Sequence, residues 1–574
     1  MPAIALDTET NGYDIRDGRG YCYGISLASR IPGGNTVSLY LPFRHPNGPD
    51  GLSHNYGAIE LDQLKNAIEN YDGYLIFHNA KFDLESLRTL GINYTGKFYC
   101  TMQMAHLINE NLPYSKSLDS CGKYYLKDPG KKESPLFKGF LKLYGWVGMI
   151  ATVIYEYAAY DADLTYRLWE HLLPLFNKEV SEDYWNRKQK FYHVIRTMER
   201  RGVAIDTELC RRMIVHGELA MEDIVEILGD RNPGSPKVLE QLLLHDLGLP
   251  LVKPTKGTKK LPRDKWKPSF DKEAMAVYDQ ILERQDNPLA EYILSYRGWQ
   301  KSVSSNYKPY LALLSPDGRL RPNYKLHGTK TGRMSCELPN LQQIPRSGTK
   351  AWNGTMKKAF IARPGYKLWE ADYGQLELRL ASAYADEHGL KTVFLQGRDV
   401  FSEMAVELGM PRFEVKTLTY TIQYGGGNTR VSQVFGVSIE RASEIREHFY
   451  NTYPGFRTIS NLAARKASTN GKLQLWSGRY RHFLYPKDES HKAFNSVIQG
   501  GSADIVERTM VRLFEQVDND EECRMLLQVH DSIVFEIKEG TEDKYLPLIK
   551  ETMENVEPDF GVKFAVDIHE WGAA

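Results

Sequence analysis

Short apolar runs that alternate with polar positions open the chain. Residues 3–7 (AIALD), 21–28 and 37–41 read as strands of one sheet, and YLIFHN at 74–79 as a further short buried strand. The helical AKFDLESLRTL follows, and residues 153–176, VIYEYAAYDADLTYRLWEHLLPLF, keep helical periodicity throughout. This pattern predicts an α/β domain that ends near residue 178.

From about 179 to 325 the pattern turns almost wholly helical, in YWNRKQKFYHVIRTMERRG, LCRRMIVHGELAMEDIVEIL and AEYILSYRGWQKSVSSNYKPYLALL. Residues 360–371 return to strand character, and 391–500 are again mainly helical. MLLQVHDSIVFEI at 525–537 reads as two apolar strands with His-Asp-Ser at the turn between them. Gly425-Gly426-Gly427 follows a helix and has no Lys-Ser/Thr partner, so it reads as a helix stop, not a phosphate loop.

Composition adds bounds to this layout. At 574 residues the chain is too long for one core and should split into about three to five domains. Apolar residues make up 42% and charged residues 25%, which fits globular protein and excludes a disordered or fibrous class. No apolar run reaches the roughly 18 residues of a membrane span, and no targeting segment opens the chain, so a cytoplasmic protein is expected. Six scattered cysteines without a C-x-x-C argue against a disulfide framework or a zinc knuckle.

The 73 basic and 73 acidic residues cancel, so bulk charge gives no sign of a polyanionic partner. Local charge does. KPTKGTKKLPRDKWK at 253–267 carries seven basic residues against one acidic. It reads as a flexible arm on a duplex backbone through Lys253, Lys256, Lys259 and Lys260, where neutralised phosphates release counterions. The alternative is a solvated loop.

Candidate chemistry lies in carboxylates. Asp7-Thr-Glu9 ends the first strand, and side chains at i and i+2 of a strand share a face. On helices i and i+4 share a face, which pairs Asn79 with Asp83 and Tyr157 with Asp161. Four carboxylates from three distant segments can then meet around hard cations such as Mg²⁺ or Mn²⁺, with the Tyr157 hydroxyl able to orient an attacking water. A lone Asp-x-Glu is a weak signal, but three such elements in order are a strong one.

The second set lies in the last 250 residues. Asp372 ends a strand-like stretch, Glu377 follows at the start of a helix, and Asp531 occupies the hairpin tip. Between about 411 and 425, Arg412, Lys416, Tyr420 and Tyr424 drift only about 40° per step and form one helical stripe. Two cations followed by two aromatics suit the phosphates, sugar and base of a nucleoside triphosphate. A core stripe of tyrosines with two snorkelling cations is the alternative. Two carboxylate sites for paired cations point to phosphoryl transfer on nucleic acid in two directions.

Residues 1–178 resemble the 3′→5′ proofreading exonuclease domain of family A (DNA polymerase I-type) enzymes, in its DEDD form with a tyrosine. Residues 185–574 resemble the polymerase region of that family, in MERRGVAID (198–206), TKTGRMSCELPNLQQIPR (329–346), ADYGQLELRLA (371–381), NSVIQGGSADIVE (495–507) and QVHDSIVFE (528–536). The resemblance implies a multidomain α/β and α+β chain. A ribonuclease H-like exonuclease domain (1–178) is followed by a right hand of thumb (179–325), palm (326–390 and 501–574) and fingers (391–500).

It also implies roles. Asp7, Glu9, Asp83 and Asp161 would hold exonuclease metals beside Tyr157, with Asn79 near the DNA. Asp372 and Asp531 would hold polymerase metals, two Mg²⁺ or Mn²⁺ per site. Arg412 and Lys416 would meet the triphosphate, with Lys416 helping to protonate pyrophosphate. Tyr420 would lie against the incoming nucleotide, and Glu377 would exclude a ribose 2′-hydroxyl. Tyr424 would pack by the templating position, and Arg333, Asn495 and Gln499 would contact the primer-template minor groove.

Four positions depart from the commonest family pattern. Ser532 replaces the acid after Asp531, Phe401 stands in place of a frequent histidine, Thr421 of a glycine and His491 of an arginine. The implied activity is DNA-directed DNA synthesis with proofreading, on primer-template DNA and deoxynucleoside triphosphates, by a monomer that works with replisome proteins such as helicase-primase or single-strand binding protein. The start of the chain at the exonuclease strand favours a compact replicative enzyme of a virus or phage, in the host cytoplasm. An exonuclease with a degenerate polymerase half, a reverse transcriptase and a single-subunit RNA polymerase are the alternatives.

Overall fold

A computed structural model describes the chain except residues 1, 32, 49–50, 53, 131–132, 346–355 and 573–574. Arg346, the last residue of the 329–346 signature, therefore lies outside the described residues. Two compact units divide the chain: Met1–Arg201, Asn323–Glu337 and Trp369–His569 form one, and Gly202–Pro322, Leu338–Leu368 and Glu570–Ala574 form the other.

The first unit opens with β1 (Ala3–Thr10), β2 (Cys22–Arg30), β3 (Thr36–Pro42), β4 (Tyr74–Phe77) and β5 (Phe98–Cys100), in the sheet order β3-β2-β1-β4-β5. β1 runs antiparallel to β2 and parallel to β4, so it is the central strand of the sheet. Helix α1 (Ala80–Thr89) follows β4 directly, and the long α2 (Ala151–Glu179) buries Ile154, Ala158, Leu168 and Leu172. These elements match the predicted α/β domain.

Further on, α3 (Glu182–Arg201) packs on α6 (Ala493–Gln516) through Lys188 and Glu507, whose buried ion pair is 2.5 Å long. Although its sequence reads with the helical segment 179–325, α3 belongs to the first unit. β6 (Tyr366–Tyr373), β7 (Cys523–Val529), β8 (Ser532–Lys538) and β9 (Val566–Glu570) form a second sheet in the order β7-β8-β6-β9. The predicted hairpin is present, with His530 in a left-handed conformation (φ 56°) at its tip. α4 (Leu376–Ala385) follows β6, and α5 (Arg412–Gln423) ends at Tyr424, with Gly425 at φ 80° as its stop. α6 is buried on nearly every side; a Cβ on Gly501 would stand 2.8 Å from Leu380 Cδ2 and 3.0 Å from Trp476 Nε1, so a larger residue there would force those side chains to shift.

In the second unit, helices Thr207–Ile227, Lys272–Glu283 and Leu289–Ser302 pack Ile224, Tyr278, Leu282 and Ile293 into one core. The basic segment 253–267 corrects the expectation of a flexible arm. Thr255 N–H donates to Lys267 O (2.8 Å), Ser269 N–H to Lys253 O (2.7 Å) and Trp266 Nε1 to Leu261 O (3.0 Å), which closes the segment on itself. Lys253 is held by Asp271 (2.7 Å) and Glu273 (2.6 Å). All six cysteines are buried and unbridged. Among the described residues no helix is long and apolar enough to cross a membrane.

Candidate active sites

At the first site, strand alternation puts Asp7 and Glu9 on one face of β1, and α2 crosses to bring Asp161 to them. Ligand oxygens of Asp7, Glu9 and Asp161 all lie within 4.8 Å of one another, and among the described residues no other three acids, cysteines or histidines gather so closely. An all-oxygen donor set of this kind fits a hard divalent cation.

Tyr157 lies one turn before Asp161, its ring stacked on Phe137 at 4.6 Å. Burial, and then the charges of Glu9, Asp161 and Asp7, raise its hydroxyl well above the ordinary tyrosine value. The phenol therefore stays protonated within the field of the carboxylates.

Asp83 and Asn79 sit differently from the helical pairing expected of them. Asn79 lies outside the helix, capping α1 with φ 109°, and its carbonyl oxygen accepts the Phe82 (2.8 Å) and Asp83 (3.4 Å) amides. Asp83 Oδ1 accepts from Thr8 N–H (3.2 Å) and Thr8 Oγ1 (2.8 Å), so Asp83 stands beside the three-acid group and not within it. Burial pushes the Asp83 carboxyl up to about 7; the Thr8 bonds oppose that, and the Asp161 charge adds to it. Thr8 escaped the sequence reading, although a hydroxyl residue between two acids was the available signal.

The second site lies where β6 meets the β7–β8 hairpin. Asp372 is on β6, and the next residue's amide, Tyr373 N–H, donates to Asp531 O (3.4 Å), which makes the two aspartates neighbours through the backbone. Gln375, in a left-handed turn (φ 54°), swings the chain into α4 and places Glu377 in its first turn.

Arg333 is found among these acids, 2.5 Å from Glu377 Oε1 and 3.5 Å from Asp531 Oδ1. Glu377 Oε2 also accepts from Tyr424 OH (3.0 Å) and Gln423 Nε2 (3.3 Å). Burial raises the Glu377 carboxyl, Arg333 pulls it back, and Asp531 raises it again. The pairing of Arg333 with Glu377 was not foreseen from the sequence, because 44 residues separate them.

The stripe on α5 is present as far as Tyr420; Tyr424 caps the helix, its ring 6.1 Å from that of Tyr420. Arg412 pairs with Asp399 at 2.6 Å. Phe401, one of the departures, is buried behind the stripe: its ring centroid is 5.9 Å from the Arg412 guanidinium, 5.8 Å from Lys416 Nζ and 5.9 Å from the Tyr420 ring. Ser532 donates to Glu370 Oε1 (2.8 Å), and Glu370 Oε2 lies 3.1 Å from His569 Nε2. A buried carboxylate on β6 thus backs the position where Ser532 lacks one. Asn495 and Gln499 share a face of α6, and Asn495 Oδ1 is buried without a hydrogen-bond partner.

Residues 209–573 match the family model described as DNA polymerase family A. The chain belongs to that family. Residues 1–177 match the model described as 3′-5′ exonuclease, so the first carboxylate site falls in an exonuclease domain and the second in the family A region. DNA polymerase I of Rhizobium leguminosarum is 28% identical over 594 residues, covering 96% of this chain and 56% of that protein. The thermostable DNA polymerase I of Thermus aquaticus is 30% identical over 465 residues, 76% of this chain and 52% of that protein. The chain spans about half the length of these curated relatives. The POL domain of Pol1 from M. smegmatis, in complex with DNA primer-template and dNTP, shares the fold with a TM-score of 0.78 at 21% identity, over 99% of this chain and 95% of that one. The family A region therefore carries the mixed α/β polymerase fold, preceded by the exonuclease domain.

Proposed function

We propose that this family A chain extends DNA primers from deoxynucleoside triphosphates on a template and removes mispaired ends by 3′→5′ hydrolysis. The observation that carries the reading is the pairing, in one chain, of the Asp7–Glu9–Asp161 cluster with the Asp372–Asp531 neighbours of a family A region. Asp7, Glu9, Asp161 and Asp83 would hold two Mg²⁺ or Mn²⁺ ions at the first site, and Asp372 and Asp531 two at the second. Such ions supply activation of the attacking oxygen and charge stabilisation of the leaving oxygen.

The chain's own residues do the rest. Arg412 and Lys416 bind the triphosphate, Lys416 delivers a proton to the departing pyrophosphate, and Tyr420 lies against sugar and base. Glu377, braced by Tyr424 and Gln423, fills the space that a 2′-hydroxyl would need. Arg333 turns from Glu377 and Asp531 toward the primer-template minor groove, where Asn495 and Gln499 wait on α6. At the first site the Tyr157 hydroxyl donates to and orients the attacking water. Editing of this kind raises fidelity beyond the roughly 10–200-fold that one binding step discriminates.

A thumb at about 179–325, a palm (326–390, 501–574) and fingers (391–500) belong to this reading; Gly202–Pro322, most of that thumb, falls in the second unit, while α3 falls in the first. Action as a monomer in the cytoplasm beside replisome proteins accompanies the proposal. The test is primer extension on matched DNA and RNA templates, with degradation of a single-stranded 3′ end assayed in parallel. Extension on DNA and 3′ degradation are expected; degradation without extension would favour an exonuclease with an inactive second half.

A further inference from the structure

Away from both carboxylate sites, α3 and α6 lie side by side in the first unit and leave a groove between them. One end of it is a cavity of about 650 Å³, inside the roughly 300–1,000 Å³ range of small-molecule sites. Its walls are aromatic: Tyr94, Phe98, Tyr192, His193 and Phe514. The His193 ring meets Phe514 edge-on at 5.3 Å, and Phe98 meets Tyr192 edge-on at 5.5 Å. Tyr94, Phe98 and Tyr192 are buried and form the floor, while the accessible rings of His193 and Phe514 can meet a flat aromatic guest.

Lys190 and Val511 line this cavity and also a second concavity of about 470 Å³, whose wall carries Arg187, Arg508 and Arg512. Steps of three and four along both helices put these residues on the facing stripes of α3 and α6. Four cations there meet three acids, and Glu557 is shared among the three arginines, which leaves one positive charge in excess. Arg187 is 3.7 Å from Asp183, Lys190 is 2.8 Å from Glu515, Arg508 pairs with Glu557, and Arg512 donates to the Asn555 carbonyl at 3.2 Å. Arg508 loses proton affinity first to burial and then to the neighbouring Arg187. A multiply charged anion relieves that crowding through charge-assisted bonds.

From Arg187 to His193 is six residues of helix, about 9 Å. Cations at one end and edge-on rings at the other, over that length, suit a nucleoside with its phosphates extended. We propose that this groove binds a nucleoside polyphosphate, with the base among the rings of the cavity and the phosphates on Arg187, Arg508 and Arg512. Neither the carboxylates nor the stripe on α5 takes part.

The test is calorimetric titration of the full chain with ATP, adenosine and inorganic tripolyphosphate, without DNA, with hydrogen exchange to locate each binding event. Lys416→Ala weakens triphosphate binding at the α5 stripe, and protection over 412–424 reports any that Arg412 retains there, so a failure of that assignment appears separately. In that background ATP is expected to protect 182–201 and 493–516. Arg187→Ala/Arg512→Ala should weaken it about tenfold or more, and Glu515→Gln, which frees Lys190, should tighten it. Phe514→Ala should weaken ATP and adenosine and leave tripolyphosphate unchanged. If Arg187→Ala/Arg512→Ala fails to fold, the gain in Glu515→Gln still decides. Tripolyphosphate binding as tight as ATP, protection elsewhere, or no ATP binding in the Lys416→Ala background would overturn the proposal.

Discussion

The two carboxylate sites share a purpose and solve it in opposite ways. At the first, Asp7, Glu9 and Asp161 crowd together while buried Asp83 is held by neutral Thr8 donors. The burial and mutual repulsion of these acids are unfavourable until a cation arrives. At the second, the Arg333 guanidinium already lies against Glu377 and Asp531. A cation that binds there would have to displace an arginine from Asp531. The first site is thus poised by stored electrostatic cost, and the second is balanced and must be switched.

The largest expected effect tests whether the sites are independent. Asp372→Ala or Asp531→Ala should lower primer extension by about 10³-fold or more, since each removes a ligand worth several kcal/mol, and should leave degradation of single-stranded DNA intact. Asp7→Ala or Asp161→Ala should do the reverse. Loss of both activities in a folded variant would join the sites that the comparison separates.

Next comes the stored cost itself. Asp83, pushed up to about 7, holds a proton in the folded state that the unfolded chain releases near the ordinary value of 3.8. Between those values the folded state binds more protons, so stability falls as pH rises through the window and the loss is complete above about 7. Asp83→Asn, which keeps the shape and the Thr8 bonds, should therefore be more stable than the parent at pH 8 in EDTA by roughly 2–4 kcal/mol. The two should converge toward pH 4. Denaturant titration at several pH values checks this, and Mn²⁺ should restore the parent and not the variant.

These contrasts mark what the chain order could reveal. β1 with its Asp-x-Glu, the Tyr157–Asp161 turn of α2 and the 530–531 hairpin tip were legible because each is a local period: two on a strand, about four on a helix, a turn between apolar runs. Asn79 misled because the same four-residue spacing also fits a residue just outside the helix, here in a left-handed cap that leaves Asp83 aimed at Thr8. Arg333 with Glu377, and Ser532 with Glu370, are bonds across 44 and 162 residues that no local period encodes. The basic segment showed its charge in the sequence and hid its closure, since the Thr255–Lys267 backbone bond depends on no particular side chain.

Tyr420 probes the balanced site at smaller scale. Its hydroxyl lies in a buried setting near Glu377 and Asp531, which with burial first raise it above the ordinary value and keep it a donor. On the proposed reading, a dideoxynucleotide would lack the 3′-hydroxyl that satisfies a polar group by the triphosphate, and the tyrosine hydroxyl would replace it. In an exonuclease-deficient background, dideoxynucleotides should be inserted nearly as well as normal ones. Tyr420→Phe should impose about tenfold or greater discrimination, from the roughly 1–3 kcal/mol of an unpaired group. Arg333→Met should tighten Mn²⁺ at the second site about tenfold in the absence of DNA, counted by electron paramagnetic resonance, and leave the first site's ion count unchanged. No change at either site would mean that Arg333 does not compete with the cation.

The smallest effect separates the sites by the form of DNA each takes. On the proposed function the first would receive a single-stranded end and the second a duplex, so a duplex grip should matter to one alone. Lys253 is already paired with Asp271 and Glu273, which leaves Lys256, Lys259 and Lys260 of the four lysines expected to meet phosphates. Replacing those three with alanine should shorten products per binding event. It should also reduce the slope of log affinity against log salt by about 0.9 for each duplex phosphate no longer neutralised. Lys253→Ala should change the slope far less, because Asp271 and Glu273 lose their partner while the phosphates keep theirs. Degradation of single-stranded DNA should be unaffected by either change. An equal slope change from Lys253→Ala would show that its ion pairs open on DNA, and a matching loss of single-strand degradation would show that the segment serves both sites.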